Sequence, residues 1–332
     1  MRMRQSGSPA RITALAGGIG GARFLRGLIA AAPDAEITVI GNTGDDIWIH
    51  GLRVCPDLDT VMYTLGGGIS EERGWGRQDE TFTVKDELAA YGMEPSWFGL
   101  GDRDIATHLV RTQLLAAGYP LSAVTEALCL RWAPGVRLLP MSDERAETHV
   151  VVDEEGGTQR AIHFQEWWVR HQARIPARAF VLVGVDDAKP APGVIEAIEG
   201  ADAVVLPPSN PVVSIGTILQ VPGIREALGR TPAPVVGVSP IIGGRPVRGM
   251  ADACLTALGV ETSAAAVAAH YGARDAGGVL DGWLVDDADA GDVDTVARLG
   301  IACEARPLLM STPDDTRAIA AAALDLAARL RS

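Results

Sequence analysis

Residues 11–40 read RITALAGGIGGARFLRGLIAAAPDAEITVI. Arg11 to Ala16 is a short apolar run, Gly17 to Gly21 a glycine turn, Ala22 to Ala32 a stretch of helical periodicity, and Glu36 to Ile40 a second apolar run. Strand, tight turn, helix and strand in that order form a βαβ unit, whose two strands run parallel. Similar apolar runs recur at Phe180 to Val185, Ala203 to Leu206 and Val235 to Val238, and the last two lead into amphipathic helical stretches. The predicted fold is therefore α/β: a Rossmann-like, doubly wound, mostly parallel sheet whose ligands sit beyond the carboxyl ends of its strands.

Between these halves, Thr83 to Arg137 reads as mainly helical, most clearly at 104–117 and 121–130. Glu147 to Phe164 alternates in polarity and turns at Gly156 and Gly157, the pattern of a β-hairpin. We expect one domain over 11–330, with a helical insertion and a small β subdomain at about 83–175, behind a disordered tail at 1–10. The alanine-rich stretch from Asp314 to Leu330 reads as a core or interface helix.

The composition narrows the function classes. Of 332 residues 47% are hydrophobic but only 5% aromatic, so the core is aliphatic, as under parallel sheets. A formal charge of -13 argues against binding nucleic-acid backbones and obliges any anionic ligand to find local cations. The four cysteines form no CxxC pair, which points to reduced thiols and a cytoplasmic setting. No apolar segment reaches the roughly 18 residues of a membrane span. The expected partners are small molecules, with no nucleic acid and no membrane.

Four groups of residues could carry chemistry. In the turn, Gly17, Gly18, Gly20 and Gly21 would let backbone N–H groups approach a phosphate at a helix amino terminus, with Arg23 adding charge; the bland alternative is a turn that only lets strand and helix pack. The dinucleotide fingerprint fails, because its third glycine position holds Arg23 and the second strand ends at Gly41 and Asn42 without a ribose-binding acid. No GxxxxGK[ST] loop occurs either. Next, GNTGDDIWIHGLRVCPDLDT (41–60) gathers Asp45, Asp46, Asp57 and Asp59 after the second strand. Carboxylates beside a phosphate site suit Mg²⁺, or they could orient a substrate hydroxyl or cap local turns. His50 has no second histidine at metal-binding spacing and reads as structural.

Arg77 and Lys85 are cations in GWGRQDETFTVKDEL (74–88), and Asp104 is expected to cap a helix. Ser209, Asn210 and Ser214 follow one later strand, while Ser239, Gly243 and Gly244 follow another, on the same sheet edge as the glycine turn. The aromatic HFQEWWVRH (163–171) could line a ring-binding surface, although packing is the simpler role for Phe164, Trp167 and Trp168.

Taken together, AGGIGGARF, GNTGDDIWIHGLRVCPDLDT, YTLGGG, WFGLGDRDIATHLVRTQLL, PSNPVVSIGTIL and SPIIGG resemble the phosphoenolpyruvate/2-phospho-L-lactate transferase family of deazaflavin coenzyme F-420 biosynthesis. MYTLGGG, MSDERAETHVV and AIHFQEWWVRH look most like its actinobacterial members. The resemblance implies a Rossmann-like fold, Mg²⁺ dependence and a homodimer. It implies transfer from a guanosine diphosphate-linked three-carbon acid to the deazaflavin Fo, with GMP leaving. On that reading Asp45 and Asp57 are the catalytic and metal-holding acids, and Asn42, Asp45, Asp46, Lys85 and Arg77 place Fo. Gly17, Gly18, Gly20, Gly21 and Arg23 take the diphosphate, and Ser209, Asn210, Ser214, Ser239, Gly243 and Gly244 the guanosine. The donor expected is the enolpyruvyl one; the lactyl donor and a regulatory nucleotide-binding module of related fold are the alternatives.

Overall fold

The computed structural model describes residues 10–154 and 156–331; apart from Ala10, the expected tail lies outside the described residues. The strands are β1 (Arg11–Ala16), β2 (Glu36–Gly41), β3 (Ile47–Ile49), β4 (Leu52–Val54), β5 (Arg137–Pro140), β6 (Glu147–Asp153), β7 (Gln159–His163), β8 (Ala177–Val183), β9 (Ala203–Leu206), β10 (Val235–Val238), β11 (Ile241–Ile242), β12 (Arg245–Pro246), β13 (Gly282–Val285) and β14 (Ala302–Ala305). Seven of them build a wholly parallel sheet in the order β14-β13-β10-β9-β1-β2-β5. The central strands read AVVL, VVGV and GWLV with every residue buried, because helices cover both faces and no position can alternate toward water. Leu15, Ile40 and Val204 enter one core; their neighbours Ala14, Val39 and Val205 enter the other, with Phe24 and Tyr63.

Two expectations need correction. The run at Phe180 falls in β8, which leaves the central sheet and pairs antiparallel with β6, itself the antiparallel partner of β7. Val181 and Val183 of β8 are exposed, incompatible with a strand buried on both faces. The segment 83–175 is also not one excursion. Helices Thr83–Ala90, Asp102–Ala116 and Leu121–Trp132 lead back to β5, an edge strand of the main sheet, before the small sheet begins.

The C-terminal helix Pro313–Arg331 packs through Ile319, Ala320 and Ala323 into the core shared with the first helix, Gly18–Ala31. Gly27 of that first helix has no side chain because the Thr316 backbone occupies the space. Among the described residues, no helix is long and apolar enough to cross a membrane.

Candidate active site

Strand order places the site. From β1 the chain moves outward to β2 on one side, while β9 and β10 lie on the other. The loops after β1 and β9 therefore part over opposite faces, which opens a crevice at the carboxyl edge between them. Gly17 closes its floor: its N–H donates to Ser209 Oγ at 3.3 Å, and Ser209 Oγ–H donates to the Gly17 carbonyl at 2.8 Å.

The helix after β1 begins at Gly18, with Gly17 as its cap, and not near Ala22. Gly20 and Gly21 thus sit in its first turn, and close packing requires glycine at both. A Cβ on Gly20 would come within 2.6 Å of the Pro208 carbonyl oxygen, and one on Gly21 would strike Ser209. The same turn exposes the N–H groups and positive dipole end that bind phosphate. Gly18 has φ +64°, a left-handed conformation that favours glycine.

Asp57 lies in the first turn of helix Pro56–Leu65, which opens with proline at a position that needs no N–H donor. Its carboxylate faces the turn so closely that a Cβ on Gly17 would come 2.5 Å from Oδ2. Asn42, at the end of β2 and fully buried, joins the parts. Its Nδ2 donates to Asp57 Oδ2 at 2.9 Å and to the Val213 carbonyl at 3.1 Å, while its Oδ1 accepts the Gly44 N–H at 2.9 Å. Asn42 is therefore a joint between loops: both Nδ2 hydrogens are committed inside the chain, and Oδ1 keeps one acceptor position beside its bond from Gly44.

Asp45 follows in the next turn and is only 6% exposed, with Oδ1 buried and unpartnered. Burial and the nearby Asp57 hold its carboxyl well above the usual range, against the opposing pull of Asn42. Burial likewise lifts Asp57 to about 6, although Asn42 and the Gly18 N–H each favour its charged form. Neither acid has an arginine or lysine among the groups that set its proton affinity. Two buried carboxylates that repel each other and lack a cation fit Mg²⁺, a hard ion that takes one or two carboxylates and fills its remaining positions with water and phosphate oxygens. Among the described residues no cluster of three or more metal-ligating side chains occurs, so the rest of such a shell would come from substrate and solvent.

From the far side, Gln165 Nε2 donates to the Asp45 carbonyl at 3.4 Å, and His163 Nε2 lies 3.1 Å from the Asp46 carbonyl. The Gln165 N–H donates to His163 Nδ1, which leaves the ring proton on Nε2 facing that carbonyl. The segment between Ala161 and His171 thus holds the acid loop in place. Trp167 is fully buried and donates to the Ile175 carbonyl, so packing is its role; Trp168 stacks on Phe164 at 5.8 Å.

The other expected site residues are held by contacts of their own. Asp46 is buried against Arg53 at 2.9 Å, and Arg53 continues to Glu147 at 3.2 Å, so one Asp46 oxygen belongs to a structural ion network while Oδ1 is buried without a hydrogen bond among the described residues. Arg77 lies 4.9 Å over the Trp132 ring and donates to the Arg103 carbonyl. Lys85 sits on helix Thr83–Ala90, which buries no residue. Arg23 lies 4.0 Å from Glu71. Asn210 Oδ1 accepts the Val212 and Val213 N–H groups, shaping the loop from within, while Ser214 makes no side-chain cap to its own helix and borders Gly17. Ser239 Oγ closes a local turn through the Ile241 backbone. Gly243 and Gly244 form the two-residue turn between β11 and β12, both with positive φ, which explains the glycines without a ligand. The Gly243 N–H donates to Asp289.

Deeper in, Asp59 pairs with Arg111, and Tyr63 donates to Asp104 Oδ1 at 2.6 Å. Asp104 does not cap its own helix. Glu80 does, accepting the Arg103 and Asp104 N–H groups, and Asp102 returns the arrangement by capping helix Thr83–Ala90.

A sequence profile described as 2-phospho-L-lactate transferase CofD matches residues 12–300. The chain belongs to this family. A protein of Streptomyces griseus named phosphoenolpyruvate transferase is 69% identical over 97% of this chain and 100% of its own length. One of the same name from Thermobifida fusca is 69% identical over 97% and 99%, and one from Mycolicibacterium smegmatis 59% over 96% and 98%. The crystal structure of protein BH3568 from Bacillus halodurans shares the fold, with a TM-score of 0.61 at 18% identity over 95% of this chain and 99% of that one. The molecule is thus a transferase on a Rossmann-like scaffold. The transferase's site contains groups that sequence reasoning passed over: His163, Gln165 and Cys254, whose Sγ lies 3.5 Å from Asn210 Nδ2. Each acts across more than forty residues of chain, where no local pattern points to its partner.

Proposed function

We propose that the transferase moves a phosphoenolpyruvyl group from enolpyruvoyl-diphospho-guanosine to the deazaflavin Fo, giving dehydro-F-420-0 and GMP. The observation that carries this reading is the Asp45–Asp57 pair, two carboxylates without a cation, set against a helix amino terminus at the sheet's switch point. Phosphoryl transfer requires alignment and charge neutralisation more than covalent catalysis, and these are what that arrangement can supply. The terminal hydroxyl of Fo attacks the phosphorus bearing the three-carbon acid; the new P–O bond forms as the bond to the GMP phosphate oxygen breaks. Asp45, whose Oδ1 is buried without a partner, orients that hydroxyl and accepts its proton. The first turn of helix Gly18–Ala31 receives the diphosphate through backbone N–H groups, and Ser214 borders the nucleotide side. Asp57 and Asp45 would hold Mg²⁺, which when bound neutralises charge on the diphosphate.

The name phosphoenolpyruvate transferase on relatives of 69% identity supports the enolpyruvyl donor over the lactyl one. The family resemblance supports a homodimer. The test is to mix the protein with Fo, Mg²⁺ and each guanylated donor in turn and read product mass. The enolpyruvyl product is expected; F-420-0 from the lactyl donor alone would transfer the assignment to that donor, and neither product would refute the reaction.

A further inference from the structure

We propose that Arg248 binds the carboxylate of the three-carbon acid carried by the donor. This rests on the transfer reading above and adds a specificity residue to it. The diphosphate has a helix amino terminus and a cation site to meet it. The carboxylate, the donor's remaining negative charge, has no counterpart among the glycines, Asp45 or Asp57, and in a chain of net charge -13 an uncommitted cation near the crevice is scarce.

The arginines around the crevice are mostly committed. Arg53 and Arg111 are buried in ion pairs. Arg26 holds Glu71 at 2.6 Å, and Arg73 lies over Trp75 and Phe82 while donating to the Arg77 carbonyl. Arg248 is exposed and makes no ion pair with any described residue.

Its position ties the two walls together. Arg248 follows the hairpin β11–β12 beyond the carboxyl end of β10, and its guanidinium reaches the loop after helix Pro56–Leu65, where a Cβ on Gly74 would come 2.9 Å from Nη2. Gly74 has φ +74° and offers only backbone to the guanidinium. Three residues before Gly74, Glu71 pairs with Arg26 and approaches Arg23, both on the helix that starts at Gly18. On the other side, Gly249 rests on Trp168, where a Cβ would lie 3.4 Å from the ring. Trp168 stacks on Phe164, and the next residue, Gln165, holds the Asp45 carbonyl. Arg248 therefore stands between the 66–82 loop, tied through Glu71 to helix Gly18–Ala31, and the Trp168 side, tied through Gln165 to the Asp45 loop. A guanidinium can take a carboxylate through two parallel N–H bonds, a geometry lysine cannot reproduce.

The test compares Arg248→Ala and Arg248→Lys with wild type, using calorimetric affinity for GDP and for enolpyruvoyl-diphospho-guanosine, followed by steady-state kinetics with Fo and Mg²⁺. Loss of a charge-assisted bond predicts that Arg248→Ala weakens donor binding about thirtyfold. GDP affinity and the KM for Fo should stay within about twofold of wild type, and Arg248→Lys should recover only part of the loss. Unchanged donor affinity would overturn the proposal, as would a parallel loss for GDP, which would place Arg248 on the diphosphate. Wild-type donor binding without transfer to Fo would refute the reaction while leaving the Arg248 comparison readable.

Discussion

Replacing Asn42 by alanine tests how the site is held together. The side chain is wholly buried and makes three hydrogen bonds, to a carboxylate, a carbonyl and an N–H, from residues 57, 213 and 44. The bond to Asp57 is charge-assisted and contributes roughly 1.5–3 kcal/mol, and each backbone group left without a partner costs roughly 1–3 kcal/mol. Water entering the vacated space recovers part of that, so a net loss of about 4 kcal/mol is expected, read as a lower urea midpoint at an unchanged slope. Asp57 also loses the donor that orients it. Turnover should fall at least about a hundredfold, equivalent to about 3 kcal/mol, and the Mg²⁺ concentration for half-maximal activity should rise. Asn42→Asp separates position from charge: it keeps the Gly44 bond but sets an oxygen where Nδ2 now lies 2.9 Å from Asp57. Two ionised carboxylates at that distance repel by about 6 kcal/mol at an effective dielectric of 20, so this variant's stability should drop more steeply than wild type from pH 5 to pH 8. A wild-type urea midpoint together with an unchanged Mg²⁺ requirement in Asn42→Ala would refute the reasoning.

Gly17→Ala would set a methyl 2.5 Å from Asp57 Oδ2 and 2.7 Å from Ser214 Cβ; GDP affinity measured by calorimetry should fall at least about tenfold from the resulting displacement. Asp45→Asn should lower turnover at least about a hundredfold in the product-mass assay yet raise the metal-free melting temperature, because it removes a carboxyl that burial penalises when charged. Glu147 is held down to about 2 from an ordinary 4.5, since His149, Arg145 and Arg53 outweigh the upward push of burial. A folded value below the unfolded one stabilises the protein above pH 4.5, and that contribution disappears as pH falls toward 2. Glu147→Gln should therefore cost about 2–3 kcal/mol at pH 7 and flatten the acid limb of the stability curve, followed by circular dichroism.

The parts of the site legible in the sequence are those written locally. The glycine turn sits inside one βαβ unit and the four acids Asp45, Asp46, Asp57 and Asp59 follow the next strand, so spacing shows both groups, while the choice of Asp45 and Asp57 among the acids rests on the family resemblance. Residue roles were less legible wherever the deciding partner is distant. Asn42 had the right location but an unpredictable task, because its partners are 15 and 171 residues away. Asp104 was assigned as a cap on residue type alone, whereas Glu80 fills that place and Asp104 turns to Tyr63. Gly243 and Gly244 suggested a ligand loop because β11 and β12 are two residues each, too short to announce a hairpin. Strands β5, β13 and β14 read RLLP, GWLV and ACEA, and an arginine and proline, a glycine, and a glutamate deny them the uniform apolar run that β9 shows at the same length. The run at Phe180 is apolar enough for a central strand, and only the exposure of Val181 and Val183 distinguishes its sheet.

The bond between Gly17 and Ser209 joins positions 192 residues apart, which gives assembly of the crevice a place in the life of the chain. At roughly 5–20 residues per second, a ribosome takes about 10–40 s to make the second side of the crevice after the first. During that interval the nascent protein carries Asp45 and Asp57 but has no opposing loop, and the helix behind the glycine turn still lacks the C-terminal helix that braces it through Thr316. A chain cut before Ser209 thus lacks one side of the crevice, and the pairing of Gly17 with Ser209 marks the completion of the site.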